Sequence, residues 1–286
     1  MRRWHPLIAL PLLLAAGASQ SQIESKSIIW MRSSFTPITI VEGPDQDQGY
    51  VDRWLALVEG RLPDYRYHHV TATTQRAMDE MKTRPNICSP AFLKTPEREA
   101  LFVYSRPYLQ MLPNGMITTQ AKLDFLQPFL DKSGQLRLDA LLGSGRFRIA
   151  AQVQRSYGAA IDQALTAHDR AVVRQHQQRT LTSSLKAMAT NRADFDGYLG
   201  YAVEFEYYVR QLDIGPHLFT FLPVAGQPLL LPAYLACSRS PEGEAFIRRV
   251  DALMDDPALQ QQTAAYYRAW LPPAVARYWD RIRPQR

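Results

Sequence analysis

Cysteine is scarce in this chain: only Cys88 and Cys237 occur in 286 residues. The six histidines are scattered, none at an HxxxH spacing, and no CxxC pair exists, so the sequence offers no metal-binding pattern. No phosphate-cradling glycine loop and no Ser-His-Asp spacing is present, which leaves no specific catalytic chemistry to argue from. Lys/Arg clusters interleaved with aromatics are also missing. The net charge of +6 is spread through mixed runs such as RRVDALMDD, which excludes a nucleic-acid surface as partner while leaving a small anionic ligand open. Neither an internal repeat nor a low-complexity linker is visible. After the first twenty residues no apolar run is long enough to cross a bilayer.

That one apolar run lies in MRRWHPLIALPLLLAAGASQ. Arg2 and Arg3 precede Leu7–Ala16, and Ala16-Gly17-Ala18 supplies a small-x-small site, the pattern of a secretory signal peptide over residues 1–18. Export to the periplasm and cleavage after Ala18 are expected, the alternative being an uncleaved anchor, which Pro6 and Pro11 disfavour. Losing Arg2 and Arg3 lowers the charge from +6 to +4. No cysteine follows the apolar run, so lipid attachment there is not expected. With 46% hydrophobic and 21% charged residues, the rest reads as an ordinary soluble protein able to bury a full core.

Periodicity then gives an alternation. Ser27–Ile40 reads as a strand and a loop. Tyr50–Gly60 places Val51, Trp54, Leu55 and Val58 at helical spacing, Arg66–Val70 is a strand, Thr74–Thr83 a helix, and Ile87-Cys88-Ser89 a buried strand. Such an order implies a parallel sheet with helical crossovers. A second alternation follows: a strand at Arg148–Gln152, a helix at Ser156–Leu165, a short strand at Gln177–Thr180 and a helix at Thr182–Thr190. The strand-to-helix boundary within Asp196–Val209 is open. Phe219–Val224 and Leu229–Cys237 are β-like, and helices at Glu242–Met254 and Pro257–Ala269 close the chain before a short tail.

The organising stretch is Ile87–Ile117. After its strand, Thr95 suits a helix cap, Pro96 the first helical position, and Glu97 the positive end of the helix dipole, which holds Arg98 beside a strand's carboxyl edge. Ligands of α/β sheets sit at such edges, and a guanidinium fork there suits a carboxylate. Thr95, Arg98, Tyr104, Ser105, Pro107 and Tyr108 resemble the T-x-x-R and F-S-x-P-Y segments of family 3 extracellular solute-binding proteins. The resemblance implies an α/β, two-lobed type 2 periplasmic-binding fold, each lobe a mostly parallel sheet flanked by helices, with a two-crossing hinge. Residues 24–117 and 219–286 would form lobe one and 118–218 lobe two. It further implies a monomer that captures a small solute by lobe closure and hands it to a membrane permease or sensor, with no cofactor. It also puts Cys88 and Cys237 on neighbouring strands of one lobe, where a disulfide or two buried thiols are the alternatives.

Two roles fit Arg98: anchor for a ligand carboxylate, or surface partner of Glu97 or Glu99. Ser156, before Tyr157 and Gly158, matches the second-lobe segment that meets the ligand, although Arg155 stands at that segment's glycine position; an ordinary N-cap is the other reading of Ser156. Phe35 matches a ligand-stacking aromatic, with core packing as the alternative, and Trp30 and Arg32 precede it. Thr73, Ala91 and Leu93 complete the candidate ligand-binding set. The second-lobe carboxylate that relatives set against an α-ammonium group is replaced by Leu199-Gly200-Tyr201, so a standard amino acid is disfavoured unless Glu204 or Glu206 substitutes. The expected solute is small, polar and carboxylate-bearing. An alternative on the same scaffold is a cyclohexadienyl-dehydratase-like enzyme using Glu204 as acid or base.

Overall fold

The computed structural model describes residues 26–152, 155–168, 170, 172–176 and 180–284. The expected signal peptide lies outside them.

The first half follows the expected alternation: β1 (Lys26–Arg32), α1 (Tyr50–Arg61), β2 (Tyr65–Thr71), α2 (Thr74–Thr83), β3 (Ile87–Ser89), α3 (Pro96–Leu101) and β4 (Phe102–Tyr104). Local chemistry accounts for the boundaries. The Thr73 and Thr95 hydroxyls accept from the backbone N–H of Arg76 and Arg98, capping α2 and α3, and Pro96 opens α3 where no donor is needed. Helix α1 turns Tyr50, Val51, Trp54, Leu55 and Val58 inward. The extended aromatic run continues as β5 (Leu109–Met111) and β6 (Gly115–Thr119).

Next come α4 (Leu123–Leu126), α5 (Leu138–Gly143), β7 (Ile149–Gln152), α6 (Ala159–Ala167), β8 (Val173–His176), α7 (Leu181–Ala189), β9 (Gly197–Gly200) and α8 (Ala202–Gln211). The chain returns through β10 (Phe219–Pro223), β11 (Leu231–Ala233) and β12 (Ala236–Ser238), then ends in α9 (Pro241–Leu253), α10 (Pro257–Arg268) and α11 (Pro273–Ile282). Three expectations change. Helix α6 starts at Ala159, because the Asp162 carboxylate accepts from both the Tyr157 N–H and the Ser156 hydroxyl and Gly158, at φ +101°, turns the chain before the helix. The short strand expected at 177–180 is Val173–His176, and residues 177–179 are outside the described set. The expected tail is a helix with Trp279 buried.

One sheet has the order β2-β1-β3-β12-β4, with β1, β2 and β3 parallel and β12 antiparallel to β3 and β4. The second has the order β10-β6-β9-β7-β8, with β7, β8 and β9 parallel. Strands β5 and β11 form a separate antiparallel ribbon. The chain passes between sheets at residues 112–114 and 224–230, on either side of that ribbon. Gly115 is required at the first passage, since a Cβ there would lie 2.5 Å from the Phe221 ring.

A core of Trp30, Trp54, Phe246 and their neighbours covers one face of the first sheet and runs through Tyr108, Leu109 and Leu112 to Tyr198 and Phe205 beside the second. Separate clusters fill the remaining faces, Met81 and Phe102 on one sheet, Phe147 and Ile161 on the other. Cys88 and Cys237, paired in register on β3 and β12, are joined by a disulfide with Cα atoms 4.0 Å apart. No helix among the described residues is long and apolar enough to cross a membrane.

Candidate functional site at the interlobe cleft

Parallel strands put their carboxyl ends on one edge. In the first sheet that edge leads into the Phe35 loop after β1, Thr73 after β2, and Ala91 to Arg98 after β3. In the second it leads into residues 155–158 after β7, and Tyr201 and Glu204 after β9. These edges meet. The Phe35 ring lies 6.2 Å from the Tyr201 ring, and the Arg155 guanidinium sits 5.4 Å from the Phe35 ring. Helix α8 further ties the second sheet to elements around the first: Gln211 donates to Asp45 at 2.7 Å, Arg210 to the Ala269 carbonyl at 2.9 Å, and Tyr207 packs on Trp270.

The wall at the second sheet is built around one ion pair. Arg155 meets Glu204 through both Nη atoms, at 3.0 and 2.6 Å, and also donates to Asn114 Oδ1 at 3.2 Å and Gln152 Oε1 at 3.4 Å. Its guanidinium lies 5.1 to 5.5 Å from the rings of Phe35, Tyr157 and Tyr201. Burial pulls the guanidinium toward deprotonation, and the Glu204 hydrogen bonds and charge more than reverse this, so its pKa is raised. Glu204 additionally accepts from the Tyr201 N–H at 2.9 Å, which fixes the start of α8. Burial raises the pKa of Tyr157 and Tyr201, so both rings remain neutral.

At the first-sheet edge, beyond β3, Arg98 stacks 4.5 Å over the Phe92 ring and donates one hydrogen bond, 3.1 Å, to the Leu93 carbonyl. It has no carboxylate partner among the described residues; Lys94 takes Glu99 instead, at 2.8 Å. Leu93 is 67% exposed and Ala91 is also open to solvent. Phe35 is half-buried against the opposite lobe.

The other candidates have partners within the chain. Trp30 is fully buried because its position on β1 faces α9; it stacks on Tyr67, meets Phe246 edge-on and donates to Glu59. Arg32 bridges Asp47 and Asp52, pinning the loop that carries Phe35. Thr73 caps α2. The Ser156 hydroxyl donates to Asp162 at 2.5 Å. Tyr157 is buried, its hydroxyl accepting from Gln152 N–H and its carbonyl from Gln227, which anchors the return crossing. Asn114 was missed in the sequence; lying in a Pro-Asn-Gly run, it reads there only as a turn residue. A cavity of about 490 Å³ between β10 and α11, lined by Phe219, Phe221 and Val275 among others, lies outside the cleft. No group of three potential metal ligands is found among the described residues.

No protein-family model matches this chain, and comparison with curated proteins gives no match. Solved structures do match. The periplasmic VFT2 domain of Bordetella pertussis BvgS is 17% identical with a TM-score of 0.56, covering 86% of this chain and 92% of that one. An ancestral cationic amino acid solute-binding protein is 12% identical with a TM-score of 0.61, covering 86% and 97%. The L-cystine solute receptor of Neisseria gonorrhoeae, in its unliganded open conformation, is 14% identical with a TM-score of 0.56, covering 86% and 94%. With the sheet orders and the paired crossings above, these likenesses show that the chain has the two-lobed fold of periplasmic solute-binding proteins.

Proposed function

We propose that this protein is a periplasmic receptor, exported by a cleaved signal peptide, that captures a small carboxylate-bearing solute by lobe closure. It delivers the solute to an ABC-type permease, with docking on a membrane sensor as the other use of the same closed form. The supporting observation is the meeting of the two carboxyl edges. One presents Arg98 without a carboxylate partner among the described residues, and the other presents aromatic rings that reach Phe35 across the gap. Arg98 is the ligand's anchor, and closure covers it.

Binding is favoured over catalysis by the state of Glu204. Both of its oxygens are engaged by Arg155, and one also accepts from the Tyr201 N–H, so it is not placed to exchange a proton with a prephenate-like substrate. The test is a thermal-shift screen of small mono- and dicarboxylates, keto acids and amino acids, followed by titration of any hit. A charge-assisted hydrogen-bond pair is worth about 1.5–3 kcal/mol, so Arg98→Ala should weaken binding by about 10- to 150-fold while leaving the unliganded melting temperature nearly unchanged. A panel in which no carboxylate stabilises the protein, or a hit that Arg98→Ala binds equally well, refutes the reading.

A further inference from the structure

The surroundings of Arg155 form a complete receptor for a planar cation. A bidentate carboxylate, two side-chain amide oxygens and three aromatic rings all address one guanidinium, and they come from separate stretches: Phe35, Asn114, Gln152 with Tyr157, and Tyr201 with Glu204. A surface arginine that merely neutralised a glutamate would need one of these partners. The pair is also largely withdrawn from water, with side chains 17% and 7% exposed. Arg155 is not part of a helix or strand; it enters the cage from the segment between β7 and α6.

We propose that Glu204, Asn114, Phe35, Tyr157 and Tyr201 constitute a guanidinium-binding site in the cleft that the chain fills with its own Arg155. The consequence, which rests on the cleft being the ligand site, concerns selectivity. With Arg155 in place both Glu204 oxygens are taken, and Glu206, two residues on, is paired with Arg210 at 2.8 Å, so the cleft selects carboxylates that lack an ammonium or guanidinium. Without Arg155 the same wall accepts an external guanidinium. Recognition would be by charge, planarity and ring faces together, so methylguanidinium should enter and sodium should not.

The experiment uses methylguanidinium chloride at about 10 mM, against sodium chloride at equal ionic strength, with melting temperature as the readout. The wild-type protein should show no difference between the two salts. Arg155→Ala should melt lower than wild type in sodium chloride and recover at least about half of the lost interval in methylguanidinium. Arg155→Ala/Glu204→Gln should recover nothing. If Arg155→Ala does not fold when expressed, its refolding yield from denaturant, with and without methylguanidinium, replaces the melting temperature, and a higher yield with the cation is the expected result. Equal behaviour in the two salts, equal recovery in the double variant, or no refolding under either condition overturns the proposal. The probe carries no carboxylate, so this failure is separable from failure of the Arg98 titration.

Discussion

Removing the Cys88–Cys237 disulfide should destabilise this chain strongly. The bonded residues are 149 apart in sequence, and the loop they close contains the entire second sheet. For a closed loop of this size the chain-entropy relation gives about 5 kcal/mol at 25 °C, and measured losses for native disulfides run at about 2–5 kcal/mol. Both sulfurs sit in the first sheet, where β12 pairs with β3 in register. If the lobes unfold separately, the loss therefore falls on the first-lobe transition alone. The comparison is urea unfolding of wild type against Cys88→Ala/Cys237→Ala, which leaves no free thiol. With a slope of about 3 kcal/mol/M, a loss of about 2–5 kcal/mol moves the midpoint down by about 0.7–1.7 M. Because both cysteines are fully buried, a reductant added to folded protein should act only as fast as the protein opens. Superimposed curves, or two thiols titrating in denatured, unreduced wild type, would sink the argument.

Two further outcomes follow from buried side chains away from the proposed anchor. Asp52 accepts from the Ile40 N–H at 2.8 Å and from Arg32 at 3.0 Å, yet burial outweighs both and raises its pKa. The folded state then binds this proton more tightly than the unfolded state. Its stabilising contribution is present below the ordinary carboxylate value and is lost as pH rises through the raised one, so in Asp52→Asn that falling component should disappear from a series of urea midpoints taken from acid to neutral pH; parallel profiles would contradict it. Trp279 is 1% exposed, donates to the Gln110 carbonyl of β5 at 2.8 Å and packs 5.2 Å from Tyr267. Trp279→Ala should cost about 3–5 kcal/mol in the same assay, and a cost under 1 kcal/mol would mean that α11 does not brace the ribbon.

The first sheet was legible because its signals are local. Thr95-Pro96-Glu97 carries its own cap, first-turn proline and favourable charge, and the stripe of α1 repeats within twelve residues. Where a boundary is set from a distance, local reading slips. Ser156 has the right chemistry for an N-cap, but Asp162 reaches back to it and delays the helix to Ala159. The start of α8, left open within Asp196–Val209, is fixed by Glu204 accepting from Tyr201 N–H three residues earlier. The last helix reads in the sequence only as a short tail; in it Pro273 occupies a first-turn position where its missing N–H costs nothing.

The cleft shows the same limit with a functional consequence. Against the family pattern the sequence shows Arg155 at a glycine position and offers Glu204 or Glu206 for the missing carboxylate; the structure pairs Arg155 with Glu204, 49 residues away. Each alone would be unfavourable in a buried wall, an arginine without a counter-charge or a glutamate without a donor. Together they cancel, and the folded chain supplies the cation that the carboxylate requires. Two charged departures facing the same cleft are therefore better read as one substitution of an internal partner for an external one. Under the proposed function, Arg98, which has no carboxylate partner among the described residues, is the charge a ligand would answer.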